Sequence, residues 1–306
     1  MSGPPLSLSL RHETLELGRA PLLMGIVNAT PDSFSDAPGP KSLSERVELA
    51  RQLVDAGAEL IDVGGESGVT NRPPVDPQAE IARVVPLIER VTADLGARVS
   101  VDTYKPAVAR AAIAAGAVLV NDTSGLRDPE LAEVCAETGA GLVIMHTRAA
   151  PKQKLLDATL DGRILSDVEQ FLHERIDVAL DRGVDFEQLL LDPGPDFSKT
   201  PAQTVAVLRA LPRLHELGRP LLLAVSRKDF IGAINARPPR ERLAGTLAAI
   251  AFGVEAGVHV LRVHEVQAVS DYLAVRAALA GRREIPSELR LADELRWERI
   301  DGRTLD

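Results

Sequence analysis

Eight short apolar segments, each ending in a polar residue, are the feature that most constrains the fold of this chain. Parallel strands that are buried on both faces have such continuous runs of Val, Ile and Leu. The eight runs are Leu22 to Asn28, Leu60 to Ser67, Arg98 to Asp102, Val118 to Asp122, Leu142 to His146, Leu189 to Asp192, Leu221 to Lys228 and Val260 to His264. Eight such strands predict an α/β fold of the (β/α)8 barrel type, in which functional groups lie where the strands end.

Segments of helical period separate the apolar runs, as a barrel requires. They run from Leu43 to Ala56, Asp76 to Ala93, Lys105 to Ala115, Asp128 to Glu137, Leu165 to Arg182, Pro201 to Leu217, Arg240 to Ala256 and Glu265 to Ala280. An open doubly wound sheet is the alternative, but it usually has about five or six strands and a glycine fingerprint after the first. Here the first run continues into Asn28-Ala29-Thr30-Pro31, which favours the barrel.

Three further regions surround the predicted barrel. Residues 5–20 have leucines alternating with polar residues, which predicts an N-terminal β-hairpin that caps the barrel floor. Residues 29–42 and 68–77 are rich in Pro, Gly, Ser, Asn and Asp, and long loops at the active face of a barrel are candidate lids. We expect one barrel domain at 1–282 and a charged C-terminal extension at 283–306.

Composition excludes several classes of partner. The formal net charge of −9 argues against a general binder of nucleic acid or anionic membranes, because phosphate selects clustered Lys and Arg. No apolar run approaches the roughly 18 residues that a membrane-spanning helix needs. Cys135 is the lone cysteine, so no disulfide framework exists and a cytoplasmic location is expected.

Four polar residues end four different predicted strands and should point into the barrel mouth: Asp102, Asn121, Asp192 and Lys228. Two carboxylates, an amide and an ammonium group can satisfy the donor and acceptor edges of a flat polar heterocycle. The alternative is an isolated ion pair between Asp192 and Lys228 at the rim. Such a pair leaves the other convergent groups unexplained, so the sequence favours a small-molecule site.

Arg262 and His264 alternate with Val263 on the last predicted strand, just before a helix begins near Glu265. A guanidinium, an imidazole and a helix N-terminus together favour a phosphate or diphosphate. The side-chain oxygen of Asn28 could join diphosphate oxygens around Mg²⁺, which prefers few protein ligands. The sequence has neither zinc-type spacing of His and Cys nor a glycine-rich Walker loop, and Ser226 lacks a nucleophile-elbow context. Hydrolytic triads and nucleotide loops are therefore poor interpretations.

At these positions the chain resembles the dihydropteroate synthase family from about Pro21 to Ala280. The family's first signature is similar to Met24-Gly25-Ile26-Val27-Asn28-Ala29-Thr30-Pro31-Asp32-Ser33-Phe34-Ser35-Asp36, and its second to Ile61-Asp62-Val63-Gly64-Gly65-Glu66-Ser67. In family order there follow Ser100-Val101-Asp102-Thr103, Asn121-Asp122-Thr123-Ser124-Gly125, Met145-His146, Asp192-Pro193-Gly194, Ser226-Arg227-Lys228 and Arg262-Val263-His264.

The resemblance implies an enzyme that joins 6-hydroxymethyl-7,8-dihydropterin diphosphate to p-aminobenzoate, releasing diphosphate. It implies a pterin site at Asp102, Asn121, Met145, Asp192 and Lys228. A diphosphate site with Mg²⁺ would be formed by Asn28, Arg262 and His264, with Asn28 as the metal ligand.

Asp102, Lys228, Arg262 and His264 would carry the catalysis, by stabilising charge without a covalent nucleophile. The resemblance also implies a homodimer. Replacing Asp102, Asn121, Lys228 or Arg262 by Ala is expected to abolish activity without loss of the fold.

Three departures from the family pattern concern the two substrate sites: the second loop and Asp229 on the p-aminobenzoate side, and Asp196 on the pterin side. Four residues, Gly68-Val69-Thr70-Asn71, separate Ser67 from Arg72, where the family usually has a single Thr between Ser and Arg. The candidate contacts to the second substrate are Ser67, Thr70, Arg72, Phe197 and Asp229.

Asp196 stands where the family usually has Gly, which could remove a close backbone approach or a flexible lid. Asp229 stands where the family has a Ser near the carboxylate of p-aminobenzoate. This Asp either repels that carboxylate or is a helix N-cap turned away from the pocket.

Two alternatives follow. A divergent pterin-binding paralogue would keep the pocket and use a different amine, or none. A folate-dependent methyltransferase on the same barrel would share pterin recognition but have little need for a diphosphate site.

Overall fold

The computed structural model describes residues 6–18, 20–30, 42–68, 70 and 73–297. The chain divides into two compact units, Met1–Val269 and Ser270–Asp306. The predicted lid at 29–42 is described only at residues 29, 30 and 42, and the one at 68–77 lacks residues 69, 71 and 72.

Within the described ranges of the first unit, eight parallel strands form one sheet. Their bounds are β3 Leu22–Asn28, β4 Leu60–Gly64, β5 Arg98–Asp102, β6 Leu119–Asp122, β7 Gly141–Met145, β8 Leu189–Asp192, β9 Leu222–Leu223 and β10 Val260–Val263. The strand order is β8-β7-β6-β5-β4-β3-β10-β9. A parallel bridge between Leu191 and Leu221 joins the two ends of the sheet, so the sheet nearly closes and the predicted barrel is confirmed.

Two antiparallel strands, β1 Leu6–Leu10 and β2 Glu13–Leu17, form the predicted N-terminal hairpin. Leu8, Leu10 and Leu17 are buried in one cluster with residues near the amino ends of barrel strands, such as Leu60 and Val260. The hairpin therefore closes the floor of the barrel, and the opposite end remains for the site.

Helices follow the strands as the periodicity predicts. Their bounds are α1 Leu43–Asp55, α2 Pro77–Leu95, α3 Pro106–Ala114, α4 Glu130–Thr138, α5 Ile164–Asp181, α6 Pro201–Arg209, α7 Leu211–Leu214, α8 Asp229–Asn235, α9 Leu243–Glu255 and α10 Val266–Leu279. The helix predicted from Pro201 to Leu217 is interrupted after Arg209, where Pro212 in the first turn of α7 lacks an amide hydrogen. The short helix α8 was not predicted.

The strand predicted from Leu221 to Lys228 is mostly wrong. Strand β9 ends at Leu223, and the backbone then turns through Arg227, whose φ of +59° is left-handed. Lys228 therefore does not end a strand but directly precedes α8. Its amide bonds back to the Val225 carbonyl at 3.3 Å, which fixes this turn.

Among the described residues, no helix is both long and apolar enough to cross a membrane. The second unit, described as far as Trp297, contains most of α10 and a short 3-10 turn at Asp293–Leu295.

Candidate active site

The carboxyl ends of four neighbouring strands, β3 to β6, bring three of the expected site residues to one level of the barrel mouth. Asn28 is in register with Gly64, Gly64 with Asp102, and Asp102 with Asn121. A Cβ atom at Gly64 would lie 3.7 Å from Asn28 Oδ1 and 3.6 Å from Asp102 Cβ. The missing side chain of Gly64 therefore leaves a recess between Asn28 and Asp102.

Four residues on four strands form a hydrogen-bonded group that we call the Arg262 cluster: Asp62, Asp102, Asn121 and Arg262. The Arg262 guanidinium donates from Nε to Asp62 Oδ2 at 2.6 Å and from Nη2 to Asp102 Oδ2 at 2.9 Å. Asn121 Nδ2 donates to Asp62 Oδ2 at 3.2 Å. The cluster thus ties the cation of β10 to the acidic groups of β4 and β5.

Burial and charge shift the protonation of this cluster. Burial raises the pKa of Asp102 to about 7, although Arg262 acts against that rise. The carboxylates of Asp62 and Asp102 raise the pKa of Arg262 against the opposing effect of burial, so the guanidinium stays charged. Asp102 can therefore change its proton occupancy near neutral pH while Arg262 cannot.

Asp192 ends β8 and organises the segment that follows, residues 193–199, which we call the β8 loop. Its Oδ1 accepts a hydrogen bond from the Gly194 amide at 2.7 Å. Burial raises the pKa of Asp192. Met145, its register partner on β7, is also buried, so it lies where the resemblance implies that it lines the pterin pocket.

Lys228 lies beneath an aromatic ring of the β8 loop. Its Nζ is 4.2 Å from the centroid of the Phe197 ring, within the range of a cation–π contact. The charges of Lys228 and Asp192 interact, but Asp196 acts more strongly on Lys228, so the two do not form an isolated pair. Burial lowers the pKa of Lys228, while the carboxylates of Asp196 and Asp192 act in the opposite direction.

His264 follows β10 and packs against the turn that precedes α8. Its Nδ1 lies 2.9 Å from Ser226 Oγ, which is also 3.3 Å from Glu265 Oε2. Arg227 pairs with Glu265, with its Nε 2.5 Å from Oε1. Burial lowers the pKa of His264 to about 3, so its ring is neutral at pH 7. In the tautomer whose Nδ1 accepts from the Ser226 hydroxyl, the ring proton lies on Nε2 and can be donated to an anion.

A magnesium site at Asn28 fits the groups that are present. Among the described residues, no group of three or more His, Cys, Asp or Glu side chains could hold a metal. The Asn28 oxygen borders the recess at Gly64, and one amide oxygen beside an anion site suits an ion that keeps waters and substrate phosphates as its other ligands.

The second-substrate candidates do not converge on one point. Phe197 contacts Lys228 through its ring, and the Ser67 carbonyl accepts a hydrogen bond from Lys152. Thr70 is exposed and lines an open cavity of about 1010 Å³ beside Tyr104, and no pterin-site residue lines that cavity. Arg72 lies outside the described residues.

Asp229 is turned away from the pocket, as the second expectation had it, but it is not the N-cap. The N-cap of α8 is Lys228, and Asp229 is the first helical residue. The Asp229 side chain is 88% exposed and pairs with Arg242, with Nη1 2.8 Å from its Oδ1. It therefore points to solvent, away from a bound carboxylate.

Asp196, rather than Asp229, is the carboxylate that accepts a backbone amide of α8. Its Oδ2 accepts from the Phe230 amide at 3.1 Å, and its Oδ1 accepts from Thr204 Oγ1 at the same distance. The Asp196 φ of +65° is the left-handed conformation that glycine adopts freely, so the backbone shape usual for Gly is kept although the residue differs.

Sequence reasoning missed three polar groups near the site: Asp62, Ser226 and Lys199. Asp62 carried a signal, because a carboxylate inside the apolar run Ile61-Asp62-Val63 must be paired when it is buried. The partners of Ser226 and Lys199 lie 38 and 53 positions away in the chain. No local pattern reveals contacts at such separations.

Comparison with known proteins places these residues in a recognised pattern. The family model described as pterin binding enzyme matches residues 24–264. The dihydropteroate synthase of Bacillus subtilis (strain 168) is 41% identical over 279 residues, covering 91% of this chain and 93% of that protein.

Solved structures agree with the sequence comparison. A dihydropteroate synthase of Xanthomonas albilineans with 4-aminobenzoic acid is 40% identical, with a TM-score of 0.82 over 92% of this chain and 100% of that chain. The same organism's enzyme in complex with 7,8-dihydropteroate is also 40% identical, with a TM-score of 0.78 over 91% of this chain and 100% of that chain.

Proposed function

Because this chain belongs to the dihydropteroate synthase family of pterin binding enzymes, we propose that it condenses 6-hydroxymethyl-7,8-dihydropterin diphosphate with p-aminobenzoate. The observation that carries the proposal is the convergence of Asp102, Asn121, Asp192 and Lys228 at one barrel mouth, beside Arg262 and His264. In the reaction, the C–O bond to diphosphate breaks and a C–N bond forms with the amine, which loses one proton to solvent.

The pterin ring would lie between the β5, β6 and β8 ends and Lys228. Carboxylate oxygens of Asp102 and Asp192 would accept its N–H groups, while Asn121 and Lys228 would donate to its acceptor edge. Each of these groups is already held by the fold, Asp102 by Arg262 and Asp192 by the Gly194 amide. Such preorganisation means that binding needs little rearrangement of charged side chains.

The diphosphate would lie near His264 and Asn28. Neutral His264 would donate from Nε2, and Arg262 would offer Nη1, the nitrogen that its carboxylate partners leave free. Bound Mg²⁺ would neutralise charge on the leaving diphosphate, with Asn28 Oδ1 as its protein ligand. Catalysis would then rest on stabilising the charge of the leaving group, without a covalent nucleophile.

The test is a reaction containing the protein, Mg²⁺, the pterin diphosphate and p-aminobenzoate, with both diphosphate and dihydropteroate measured. Lys228→Met should abolish both products, and replacement of the exposed Lys154 by Met is the matched control that should retain both. Failure of the wild-type protein to form dihydropteroate, or full turnover by Lys228→Met, would refute this function.

A second candidate is a pterin-binding paralogue with a different amine partner. The observation favouring it is that the Asp196 carboxylate occupies the Phe230 amide, close to where the resemblance places the carboxylate of p-aminobenzoate. A fixed negative charge there would repel an anionic amine. This candidate predicts pterin binding without condensation of p-aminobenzoate, and a gain of condensation in Asp196→Gly.

A homodimer in the cytoplasm is part of the proposal. Only Thr246, Ile250 and Gly253 of α9 are buried, although the helix is strongly apolar, and Phe252 is 45% exposed. An apolar helix that leaves most of its residues at least partly accessible favours a protein partner. Light scattering after size exclusion should give twice the chain mass, and Phe252→Asp should give the monomer. The free thiol of buried Cys135 fits a reducing compartment.

A further inference from the structure

Lys199, at the end of the β8 loop, is a buried lysine that the proposed reaction does not use. Its side chain is 3% exposed, and four acceptors surround its Nζ. The acceptors are His146 Nδ1 at 2.6 Å, the Gly194 carbonyl at 2.8 Å, the Phe197 carbonyl at 3.1 Å and the His146 carbonyl at 3.5 Å. An ammonium group only donates hydrogen bonds, so four acceptors around Nζ favour the charged form of Lys199.

The fold keeps this cation although burial opposes it. Burial lowers the pKa of Lys199 to about 7, while the carboxylates of Asp192 and Asp196 act in the opposite direction. A buried charge is costly unless its contacts are needed, and an apolar residue of similar volume often replaces such a group without loss. The contacts of Lys199 therefore call for a specific role.

The His146 ring that accepts a hydrogen bond from Lys199 is itself held in place and in one tautomer. His146 is fully buried and its Nε2 lies 3.0 Å from Asp167 Oδ2, which also accepts from Arg148 Nε at 2.8 Å. Burial lowers the pKa of His146 to about 2, so the ring is neutral. Its one ring proton then points to Asp167, and Nδ1 presents a lone pair to Lys199.

Lys199 clamps the β8 loop from inside. Both backbone polar groups of Gly194 are hydrogen-bonded. Its amide donates to the Asp192 carboxylate, and its carbonyl accepts from Lys199. Its φ is +64°, and an added Cβ would lie 2.1 Å from the His146 carbonyl oxygen. The loop therefore sits against β7 with no slack at this point.

The same clamp sets the position of an aromatic ring in the site. The Phe197 carbonyl bonds to Lys199, and the Phe197 ring lies 4.2 Å from Lys228 Nζ. Beyond it, Ser198 Oγ accepts the Ala149 amide at 2.9 Å, which attaches the loop to the segment after β7. Lys199 is thus connected to Lys228 through one intervening residue of known orientation.

We propose that Lys199 is a positioning residue for pterin binding, whose ammonium group holds the β8 loop so that Phe197 stays over Lys228. This role rests on the proposed function for the identity of the ligand, but not for the state of the loop. Lys199 itself touches no reacting atom. Its removal should act on the pterin site mainly through Phe197.

The first test needs no ligand. Hydrogen exchange of the full-length protein, followed by mass spectrometry, compares Lys199→Met and Lys199→Arg with the control Lys154→Met. Residues 193–199 should exchange on the order of tenfold faster in Lys199→Met, because hydrogen bonds to a charged donor are lost. Lys199→Arg should recover part of the protection, and the hairpin at 6–17 should be unchanged in all three. Equal exchange at 193–199 in Lys199→Met and wild type would overturn the clamp.

The second test uses 6-hydroxymethylpterin, the ring without diphosphate, and isothermal titration calorimetry. Lys199→Met and Phe197→Leu should each weaken binding by about tenfold, and the double variant should bind no more weakly than Phe197→Leu. Losses that multiply to about a hundredfold would show that Lys199 acts independently of Phe197 and would overturn the proposal. A wild-type protein that does not bind the pterin would instead refute the proposed function and the pterin role together, while the exchange result still decides the clamp.

Discussion

Replacement of Arg262 by Met is the sharpest test of how the barrel mouth is held together. The guanidinium balances two carboxylates, Asp62 at 2.6 Å and Asp102 at 2.9 Å, and Asp62 is fully buried. Removing one partner of a buried ion pair costs about 3–5 kcal/mol, because it leaves an uncompensated charge. We expect the free energy of unfolding to fall by that amount, and the melting temperature by on the order of 10 °C.

The assay is equilibrium unfolding in urea, with a matched control on the same molecule. Arg98 and Glu13 form a close pair of the same type, with Nε 2.6 Å from Oε1, but their side chains are 38% and 37% exposed. Arg98→Met should cost less than about 1 kcal/mol, since exposed pairs contribute little. Arg262→Met should therefore lower stability several times more than Arg98→Met, with the same dependence on urea.

A double variant separates charge from packing. Combining Arg262→Met with Asp62→Asn removes one of the two stranded carboxylates, so it should recover a large part of the lost stability. Equal stabilities of Arg262→Met and Arg98→Met would refute the reasoning. This outcome would mean that Asp62 and Asp102 do not depend on the guanidinium, and that Arg262 serves an anion only, as the sequence-based expectation of an intact fold assumed.

Three further predictions concern single residues. Burial raises the pKa of Asp102 to about 7, whereas the unfolded chain releases this proton near pH 4. The contribution of Asp102 to the free energy of unfolding should therefore fall as the pH rises from about 4 to about 7. Urea unfolding of Asp102→Asn at several pH values should lack this pH dependence. Asp229→Ser should leave the KM for p-aminobenzoate unchanged, because Asp229 points to solvent and pairs with Arg242; a clear gain in steady-state assays would show that it reaches the pocket. Gly194→Ala should lower the free energy of unfolding by about 1 kcal/mol or more, because of its positive φ and the His146 carbonyl; a melting temperature equal to that of the wild type would contradict this.

The sequence predicted the fold because most strands and helices are determined by residues close together in the chain. Strands β3, β5 and β8 begin and end at the predicted residues, since each is a short, largely apolar segment that ends in Asn or Asp. The run from Leu221 to Lys228 is equally apolar at its start, yet β9 contains only Leu222–Leu223. The reason is not local: the Arg227 amide bonds to Thr246 Oγ1 on α9, and the chain leaves the sheet to form that contact.

The sequence predicted which residues lie at the site, but not which of them bind one another. Strand endings predicted that Asp102 and Asn121 lie together, because neighbouring parallel strands end at the same edge. The partner of Arg262 was not readable, because Asp62 lies 200 positions away and one strand pattern says nothing about pairing across the barrel. Similarly, the position of Asp229 after Lys228 left open whether it faces the pocket, and only the start of α8 and the pairing with Arg242 show that it points outward.

The pairing of Arg262 also decides what the diphosphate site lacks. Its charge is balanced by Asp62 and Asp102, and His264 is neutral at pH 7, so neither offers an uncompensated positive charge to the ligand. A diphosphate that enters beside these carboxylates is repelled unless a cation accompanies it.

The affinity of the protein for pterin diphosphate should therefore fall steeply when Mg²⁺ is removed by chelation, whereas the affinity for 6-hydroxymethylpterin should not change. Calorimetry with both ligands measures the difference, and Asn28→Ala should reduce the Mg²⁺ effect while leaving the affinity for the diphosphate-free ring intact. Equal loss of both affinities on chelation would instead place the ion at the pterin ring and remove Asn28 as its ligand.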